Sequence, residues 1–573
     1  MAGKRGRIMR FLALLIAVLL PVSAWAQQYP DVQRQSLYVP VRDGTRLAVN
    51  IYRPAHGDAV ADERLPVIFV FTPYRARFVD DRGQVQETAL GDNLALRSLI
   101  RAGYVVAVAD IRGKGASFGT RRGFQDRTEA LDGHDLVEWL ARQPFSSGDV
   151  GMIGCSYLGG TVTHTASTAP PSLRAAFIGA TDWDKYAFVR DGGITAQFNT
   201  RPDEPLDVDL ASVPVDGDDG TLLRAAVAQH AGNTPMGPLW YGMPFRDSIS
   251  AFTGNPFWDE VAIWRHADTI RNAGIATYWW SNWEDEPTAQ AIIAAQNLGS
   301  RLLIGPGSHC VPPPGFDFTG EVVRFFDHHL KGADNGFAAQ PRVTHWVETG
   351  PGAGEYRMGD ALPGSLSSTQ AWYLAPHQNG AEHGGLAPRA VDGADLFTVD
   401  YNVPGGEYFA FWPAPADAHG IVYDSAPLPA PIDLLGNPVA HIALTSSTRD
   451  AEVFVYLEEA TAAGEVRMLS FGRLKLSHRA TAEAPWDNLG LPWHSGMAAD
   501  VRPLAEGEVA RLSIAMMPLS RRIAAGSRLR FVLTGADPRQ RNLADVKQDP
   551  PPQFTILTGW EAGSRIDLPL AAE

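Results

Sequence analysis

Three short apolar runs in the first third of the sequence constrain the fold more than any other feature. They are VIFVFT (Val67–Thr72), YVVAVAD (Tyr104–Asp110) and VGMIG (Val150–Gly154), and each is continuous rather than alternating. Strands that are buried on both faces have this composition, which is typical of parallel sheets. Between the second and third runs, residues 128–143 place their leucines on one helical face. The pattern predicts an α/β fold with a mostly parallel sheet and helices on both sides.

The order of strand and helix patterns divides the chain into parts. The α/β pattern stops between about residues 184 and 265, a region rich in Pro, Gly and Asp with helix-like pieces. It resumes at ATYWWSN (Ala276–Asn282), and helical patterns almost vanish after about residue 366. We therefore predict an α/β domain over 27–183 and 266–365, a mainly helical insertion over 184–265, and an all-β domain over 366–573.

The first 26 residues resemble a cleaved secretory signal. Four basic residues precede an apolar run, Phe11–Val22, and small residues flank Trp25. The run contains Pro21 and is shorter than the roughly 20 residues that a membrane span requires. We predict cleavage after Ala26, a mature chain with no membrane span, and a periplasmic or secreted location.

The net charge excludes two classes of partner. The chain has 49 Lys and Arg against 64 Asp and Glu, a net charge of −15. Removal of the four basic residues of the signal leaves 45 against 64, a net charge of −19. A chain this acidic is not expected to bind nucleic acid or an anionic membrane.

The segment MIGCSYLGG places Ser156 directly after the third apolar run. Nucleophilic serines occupy such a strand-to-helix turn, usually in the pattern G-x-S-x-G. Here Leu158 stands where the second glycine is expected, and Gly159 follows one residue later. Ser156 is therefore a candidate nucleophile, and a helix-capping serine is the alternative.

A nucleophilic serine needs a base and an orienting acid, which this fold class supplies in the order Ser, Asp, His. Asp285 follows the strand pattern ATYWWSN, and His309 follows the strand pattern RLLIGP. Loops at the carboxyl ends of parallel strands meet at one edge of the sheet. We therefore predict that His309 acts as the base and Asp285 as its partner, with Glu284 and Glu286 as rival acids. This chemistry requires no metal or organic cofactor.

Two groups are candidates for the oxyanion hole. The backbone N–H of Tyr157 follows the candidate nucleophile, which is the usual position of one donor. The phenol of Tyr74, in FTPYRA, follows another strand at the same sheet edge and is the second candidate. The alternative for Tyr74 is a packing role at the end of its strand.

Five motifs, which along the chain are TPYRA, DIRGKGASFG, GCSYLGG, WED and IGPGSH, together resemble those of a known group of hydrolases. The group contains cocaine esterase, the S15 X-Pro dipeptidyl-peptidases and the α-amino acid ester hydrolases. The resemblance implies an α/β-hydrolase domain with an inserted mainly helical cap and a C-terminal jelly-roll domain. It also implies a triad of Ser156, Asp285 and His309, an oxyanion role for Tyr74, and the serine motif G-x-S-Y-x-G.

In this group, members that bind an α-amino group hold it with carboxylates. Four acidic residues of the chain are candidates for this role, although the amine-binding carboxylates of the group cannot be matched to them position by position. They are Asp182, Asp184, Glu284 and Glu286. By contrast, Asp110, Arg112 and Ser117 of DIRGKGASFG are expected to shape a turn behind the site.

The two cysteines of the chain adjoin the predicted nucleophile and base. Cys155 precedes Ser156 and Cys310 follows His309, a pattern similar to the tannase and fungal feruloyl esterase group. In that group a disulfide joins the two neighbours. The likeness predicts a Cys155–Cys310 disulfide, and two free, buried thiols are the alternative.

The sequence thus predicts an exported serine hydrolase that cleaves a carboxylic ester or amide of a small molecule or peptide. An X-Pro dipeptidyl-peptidase or an acylase for β-lactams or α-amino acid esters is an alternative within the same chemistry. A polysaccharide-binding protein with a vestigial serine site is an alternative of another class. The sequence leaves the oligomeric state open.

Overall fold

The computed structural model describes residues 28–91, 93–195, 205–350, 352–365, 367–378, 380–405, 412–540, 543–561 and 563–571. The predicted signal peptide, 1–26, lies outside the described residues. Within the described residues, no helix combines the length and the apolar composition needed to cross a membrane.

A mostly parallel sheet forms the centre of the first part of the chain, as predicted. Its strands, with a small separate hairpin of β5 and β6, are β1 (Asp31–Pro40), β2 (Arg46–His56), β3 (Ala59–Val60), β4 (Leu65–Thr72), β5 (Arg77–Val79), β6 (Val85–Glu87), β7 (Val105–Asp110), β8 (Ser146–Cys155), β9 (Leu173–Gly179), β10 (Ala276–Asn282), β11 (Arg301–Gly305), β12 (Val343–Gly350) and β13 (Ala353–Gly359). The order β7-β4-β8-β9-β10-β11-β12 is parallel throughout. The hairpin β1–β2 and strand β13 add antiparallel edges on either side.

Helices cover both faces of this sheet. They are α1 (Leu94–Arg101), α2 (Arg127–Ala141), α3 (Tyr157–Ala166), α10 (Thr288–Leu298) and α11 (Phe318–Lys331). Along β4, Phe69 and Phe71 pack in the core under α2, α3 and α10, whereas Ile68 and Val70 pack in the core under α1 and α11. A continuous apolar run therefore serves both layers, since successive strand residues point to opposite faces.

Short helices dominate the region 184–265. They are α4 (Lys185–Val189), α5 (Leu206–Leu210), α6 (Thr221–His230), α7 (Met236–Tyr241) and α8 (Phe257–Glu260), with α9 (Ala267–Asn272) following. An aromatic core that includes Tyr186, Trp240 and Trp258 holds the region together. In α5 and α6, Asp209 and His230 form a buried pair, and Asp209 also accepts the N–H of Gly115.

In the described residues after 366, the regular secondary structure is almost entirely β. Its strands, with one short helix α12 (Leu543–Val546), are β14 (Ser368–Ala375), β15 (Gly384–Ala387), β16 (Gly393–Thr398), β17 (Ile421–Ser425), β18 (Ile432–Gly436), β19 (Val439–Ser446), β20 (Glu452–Ala460), β21 (Val466–Lys475), β22 (Ala510–Ala515), β23 (Leu519–Ile523), β24 (Arg528–Thr534), β25 (Gln553–Thr558) and β26 (Arg565–Leu570). Most pairs are antiparallel and enclose a separate apolar core. Strand β23 also pairs with β12 at Glu348 and Arg521, which connects this region to the α/β part.

Candidate active site

Ser156 lies on a sharp turn between β8 and α3. Its backbone has φ 62° and ψ −127°, a region that non-glycine residues rarely adopt, and its N–H donates to the Gly179 carbonyl at 3.0 Å. A Cβ atom at Gly154 would lie 2.3 Å from the Leu158 carbonyl, and one at Gly159 would lie 2.4 Å from the Gly179 carbonyl. The displaced second glycine is therefore a steric requirement of this turn.

His309 and Asp285 meet in the loops that follow β11 and β10. Nδ1 of His309 lies 2.9 and 3.0 Å from the two carboxylate oxygens of Asp285. Asp285 is fully buried, which raises its pKa, and the hydrogen bond from His309 acts in the opposite direction. Because Nδ1 donates to the carboxylate, Nε2 is the nitrogen left to exchange a proton with a nucleophile.

The two rival acids do not occupy this position. Glu286 points toward the C-terminal domain, where its Oε1 lies 3.3 Å from Arg539 Nη1 and 3.6 Å from Arg473 Nη1. Glu284 is solvent-exposed and lies in the wall of the pocket described below. Of the three adjacent carboxylates, Asp285 is the one hydrogen-bonded to His309.

A disulfide joins the two loops that carry Ser156 and His309. Cys155 and Cys310 are bonded with their Cα atoms 5.9 Å apart, which confirms the pairing and rejects the alternative of two free thiols. Cys310, like Ser156, has a left-handed backbone, with φ 57°. The bridge therefore connects two unusual backbone conformations on either side of the candidate site.

Tyr74 lies at the end of β4 and faces the same pocket. It is half exposed, and its ring meets that of Tyr157 edge to face at 6.3 Å. The next residue, Arg75, has φ 67°, and the N–H of Ala76 donates to Asp110 at 2.6 Å. Burial raises the pKa of Asp110 to about 7. Asp110 therefore shapes the Tyr74 loop, in agreement with the structural role expected for it.

Tyr157 is held by a buried network that the sequence did not reveal. Its hydroxyl donates to Glu129 at 2.7 Å and accepts from Arg121 at 3.1 Å. Its carbonyl accepts from Gln125 at 2.9 Å. Burial raises the pKa of Glu129 to about 8, although Arg121 opposes this shift. Since Tyr157 is the first residue of α3, its N–H has no partner within the helix.

A cavity of about 890 Å³ opens at these residues. Tyr74, Ser156 and His309 line it, together with the disulfide. Its apolar wall includes Leu94, Leu96, Ile153, Leu158, Trp280, Phe318 and Trp412. Trp412 comes from the C-terminal domain, whereas the described residues of the insertion, 184–195 and 205–265, do not line the cavity.

Three of the four candidate amine-binding carboxylates have partners within the protein. Asp182 pairs with Lys185 at 2.5 Å, Asp184 pairs with Arg246 at 2.7 Å, and Glu286 pairs with arginines as described above. Glu284 is the one of the four that lines the cavity.

The chain matches two family profiles over most of its length. The profile described as X-Pro dipeptidyl-peptidase (S15 family) matches residues 43–311. That of the X-Pro dipeptidyl-peptidase C-terminal non-catalytic domain matches residues 335–549. The chain belongs to the S15 family. This S15 chain is accordingly a serine hydrolase, with a mixed α/β fold and a C-terminal non-catalytic domain.

Relatives agree with this membership, and solved structures share the fold. A Mycobacterium bovis protein described as a serine esterase is 30% identical over 95% of this chain and 96% of the relative. Cocaine esterase of a Rhodococcus species is 26% identical over 78% of this chain and 84% of the relative. A CocE/NonD family hydrolase from Staphylococcus aureus has the same fold, with TM-score 0.72, 18% identity and 94% of each chain covered. A solved α-amino acid ester hydrolase gives TM-score 0.65 at 18% identity, covering 98% of this chain and 100% of the other.

Proposed function

We propose that this S15 hydrolase cleaves a carboxylic ester or amide through an acyl intermediate on Ser156, with His309 as base and Asp285 as its partner. The observation that carries the proposal is the bidentate contact of His309 Nδ1 with the buried Asp285, at a loop that a disulfide joins to the serine turn. This arrangement supports the roles carried over from the family resemblance.

In the first half of the proposed reaction, Ser156 Oγ attacks the substrate carbonyl carbon while His309 Nε2 takes the hydroxyl proton. His309 then returns that proton to the leaving alcohol or amine as the C–O or C–N bond breaks. In the second half, water attacks the acyl-enzyme and its proton passes through His309 to Ser156, which releases the acid. Asp285 keeps the ring oriented and stabilises the imidazolium in both halves.

The developing oxyanion would accept hydrogen bonds from the N–H of Tyr157 and the phenol of Tyr74. The hydrogen bonds to the side chain and carbonyl of Tyr157 support this role, because they fix the residue whose N–H must be aimed. The half-exposed phenol of Tyr74 lies in the same cavity. Such donors act best when they are preorganised.

The cavity favours an ester or amide with a sizeable apolar group. Leu94, Trp280, Phe318 and Trp412 supply large apolar surfaces, and a volume of about 890 Å³ accommodates a group much larger than acetyl. Glu284 in the same wall keeps open a second candidate function, the hydrolysis of amino-acid esters or X-Pro peptides, since a carboxylate can bind their amine.

The finer features of the domains and location are also part of the proposal. The insertion 184–265 is a mainly helical cap on the α/β domain whose described residues stay outside the cavity wall. Residues 366–573 form a jelly roll, which the mostly antiparallel strands of this region support. Export to the periplasm or beyond is supported by the sequence of residues 1–26 and by the disulfide, because disulfides persist in oxidising compartments.

Labelling with a fluorophosphonate tests the proposal directly. The mature protein should be labelled at one site and hydrolyse p-nitrophenyl butyrate, while Ser156→Ala should lose both properties and keep its unfolding midpoint. Ser172→Ala, which changes a serine outside the cavity, is the matched control and should be labelled normally. An unlabelled wild-type protein would favour the alternative of a binding protein with a vestigial serine site. Residual activity of more than a few per cent in Ser156→Ala would show that Ser156 is not the nucleophile.

A substrate panel separates the candidate substrate classes. We expect higher kcat/KM for an aryl butyrate than for an X-Pro anilide or an amino-acid ester. The opposite order, abolished in Glu284→Gln, would favour the amine-binding function.

A further inference from the structure

A buried charge cluster lies between the loop of Asp285 and the C-terminal domain. Glu286 immediately follows Asp285, and its side chain is 7% exposed. Arg473 on β21 and Arg539 after β24 both direct Nη1 at its Oε1, at 3.6 and 3.3 Å. Both arginines belong to the segment that matches the non-catalytic domain profile. The residue next to the candidate triad acid is therefore held from another domain.

The arginines are themselves firmly placed. Arg539 makes two contacts of 3.1 Å with Asp537, whose carboxylate also accepts the Tyr456 hydroxyl at 2.6 Å. The guanidinium of Arg539 lies 4.5 Å from the centre of the Phe471 ring. Asp191 of the insertion lies 3.5 Å from Arg473 Nε on the outer side of the cluster. Glu286 therefore contacts one arginine, Arg539, that its own domain already holds in place.

The ion pairs of Glu286 with the two arginines also affect the electrostatic environment of Asp285. The carboxylate of Glu286 raises the pKa of its neighbour Asp285, because like charges disfavour each other. Without the arginines, Glu286 would be a buried carboxylate with no cation, which a protein avoids by moving the side chain or protonating it. Movement of the side chain would displace the loop that carries Asp285, and protonation would weaken the ion pairs that hold that loop.

We propose that the C-terminal domain positions the catalytic acid: Arg473 and Arg539 hold Glu286, and Glu286 fixes the Asp285 loop against His309. Glu286 and the two arginines are positioning residues, since none of them lines the cavity. The inference rests on the proposed function only in that Asp285 is taken as the partner of His309.

The test uses the full chain, with Arg473→Met, Arg473→Lys, Glu286→Gln and the double variant Arg473→Met/Glu286→Gln. For Arg473→Met we expect kcat for p-nitrophenyl butyrate to fall about tenfold with KM changed less than about twofold, because the substrate contacts remain. Arg473→Lys keeps the charge and should recover most of the loss. In Arg473→Met the Glu286 carboxylate keeps Arg539 as its one arginine partner. The double variant removes this partly compensated carboxylate, and its kcat should exceed that of Arg473→Met.

The pH profile provides a readout that a general loss of structure would not move. Loss of the Arg473 cation leaves the surroundings of Asp285 and His309 with a more negative net charge, which favours the imidazolium form. The acid limb of kcat/KM should therefore shift to higher pH by about half a unit. Glu286→Gln should shift it to lower pH, and the double variant should return near the wild-type limb.

Arg530→Met is the matched control. Arg530 is also buried and pairs with two carboxylates, Asp424 at 2.8 Å and Asp417 at 2.7 Å, but within the C-terminal domain alone. Its loss should lower the unfolding midpoint while leaving kcat and the acid limb unchanged.

Three results would overturn the proposal. The first is an equal kcat in Arg473→Met and Arg530→Met when each is assayed at the same interval below its unfolding midpoint. The second is a shift of the acid limb of kcat/KM in the same direction in Arg473→Met and Glu286→Gln, and the third is an effect on KM alone. If Arg473→Met does not fold, Glu286→Gln still tests the shift of the acid limb to lower pH, and Arg473→Lys still tests the conserved rate. Fluorophosphonate labelling of the wild type separates failure of this proposal from failure of the proposed function.

Discussion

Reduction of the Cys155–Cys310 disulfide changes only the bond between two sulfur atoms and leaves the sequence intact. Both cysteines line the cavity, so a small reductant reaches them in the folded protein. They are 155 residues apart in the chain, and a loop of that length gives a chain-entropy stabilisation of about 5 kcal/mol. Measured bridges contribute less, and we expect reduction to cost about 2 to 4 kcal/mol.

The effect on catalysis should come before the effect on folding. Ser156 and Cys310 hold left-handed backbone conformations, which persist only where the surroundings fix them. The hydrophobic cores remain in the reduced protein, whereas the turn and the histidine loop lose their covalent connection. A displacement of about 1 Å between nucleophile and base lowers kcat by up to about 100-fold. We therefore expect kcat to fall between about 10-fold and 100-fold at temperatures where the fold is intact.

The assay follows kcat for p-nitrophenyl butyrate and near-ultraviolet circular dichroism together during reduction with dithiothreitol, and repeats both in Cys155→Ala/Cys310→Ala. The double variant gives the bond-free rate, and dithiothreitol should leave it unchanged, which excludes a side effect of the reductant. Two free thiols in the denatured, unreduced protein would show that the bridge is absent in solution. Unchanged kcat on full reduction would refute the positioning role, even if the unfolding midpoint fell.

Three further predictions concern single residues. Tyr74→Phe removes one donor and should lower kcat about 100-fold with little change in KM, and an unchanged kcat would return Tyr74 to a packing role. Asp285→Asn should lower kcat by about 10⁴-fold, while Glu284→Gln should leave hydrolysis of a neutral ester within about threefold; the reverse order would mean that Asp285 is not the acid. Burial raises the pKa of Glu129 from 4.5 to about 8, so the folded state holds an extra proton in that range and stability falls as pH rises through it. Urea unfolding between pH 5 and 8 should therefore depend less on pH in Glu129→Gln, and parallel dependences would contradict the assignment.

The parallel sheet was predictable because its strands have one kind of environment. A strand covered on both faces must be continuously apolar, and the run Val67–Thr72 lies within β4 and is buried along its whole length. The dipeptide Asp43-Gly44 is an equally local signal, since it is typical of hairpin turns and lies between the antiparallel strands β1 and β2.

Contacts between distant segments were not predictable in the same way. No pattern in the sequence near Glu286 indicates a contact with Arg539. Arg539 lies 253 residues later and contacts Glu286 only because another domain folds against the loop. Likewise, Asp184 is an unremarkable loop acid until Arg246 pairs with it. The likeness of the cysteines did predict a contact between distant segments, because a covalent pair requires a cysteine at both of its ends.

The turn around Ser156 shows what a motif search measures. A search for G-x-S-x-G tests for small residues at fixed offsets. The physical requirement is that no Cβ atom lies at Gly154, where the chain approaches the first turn of α3, or at Gly159, where it approaches β9. In this chain those two places fall two residues before and three residues after the serine. A query written as G-x-S-x-x-G, with a β strand before it and a helix after it, would retrieve chains of this kind that the usual pattern passes over.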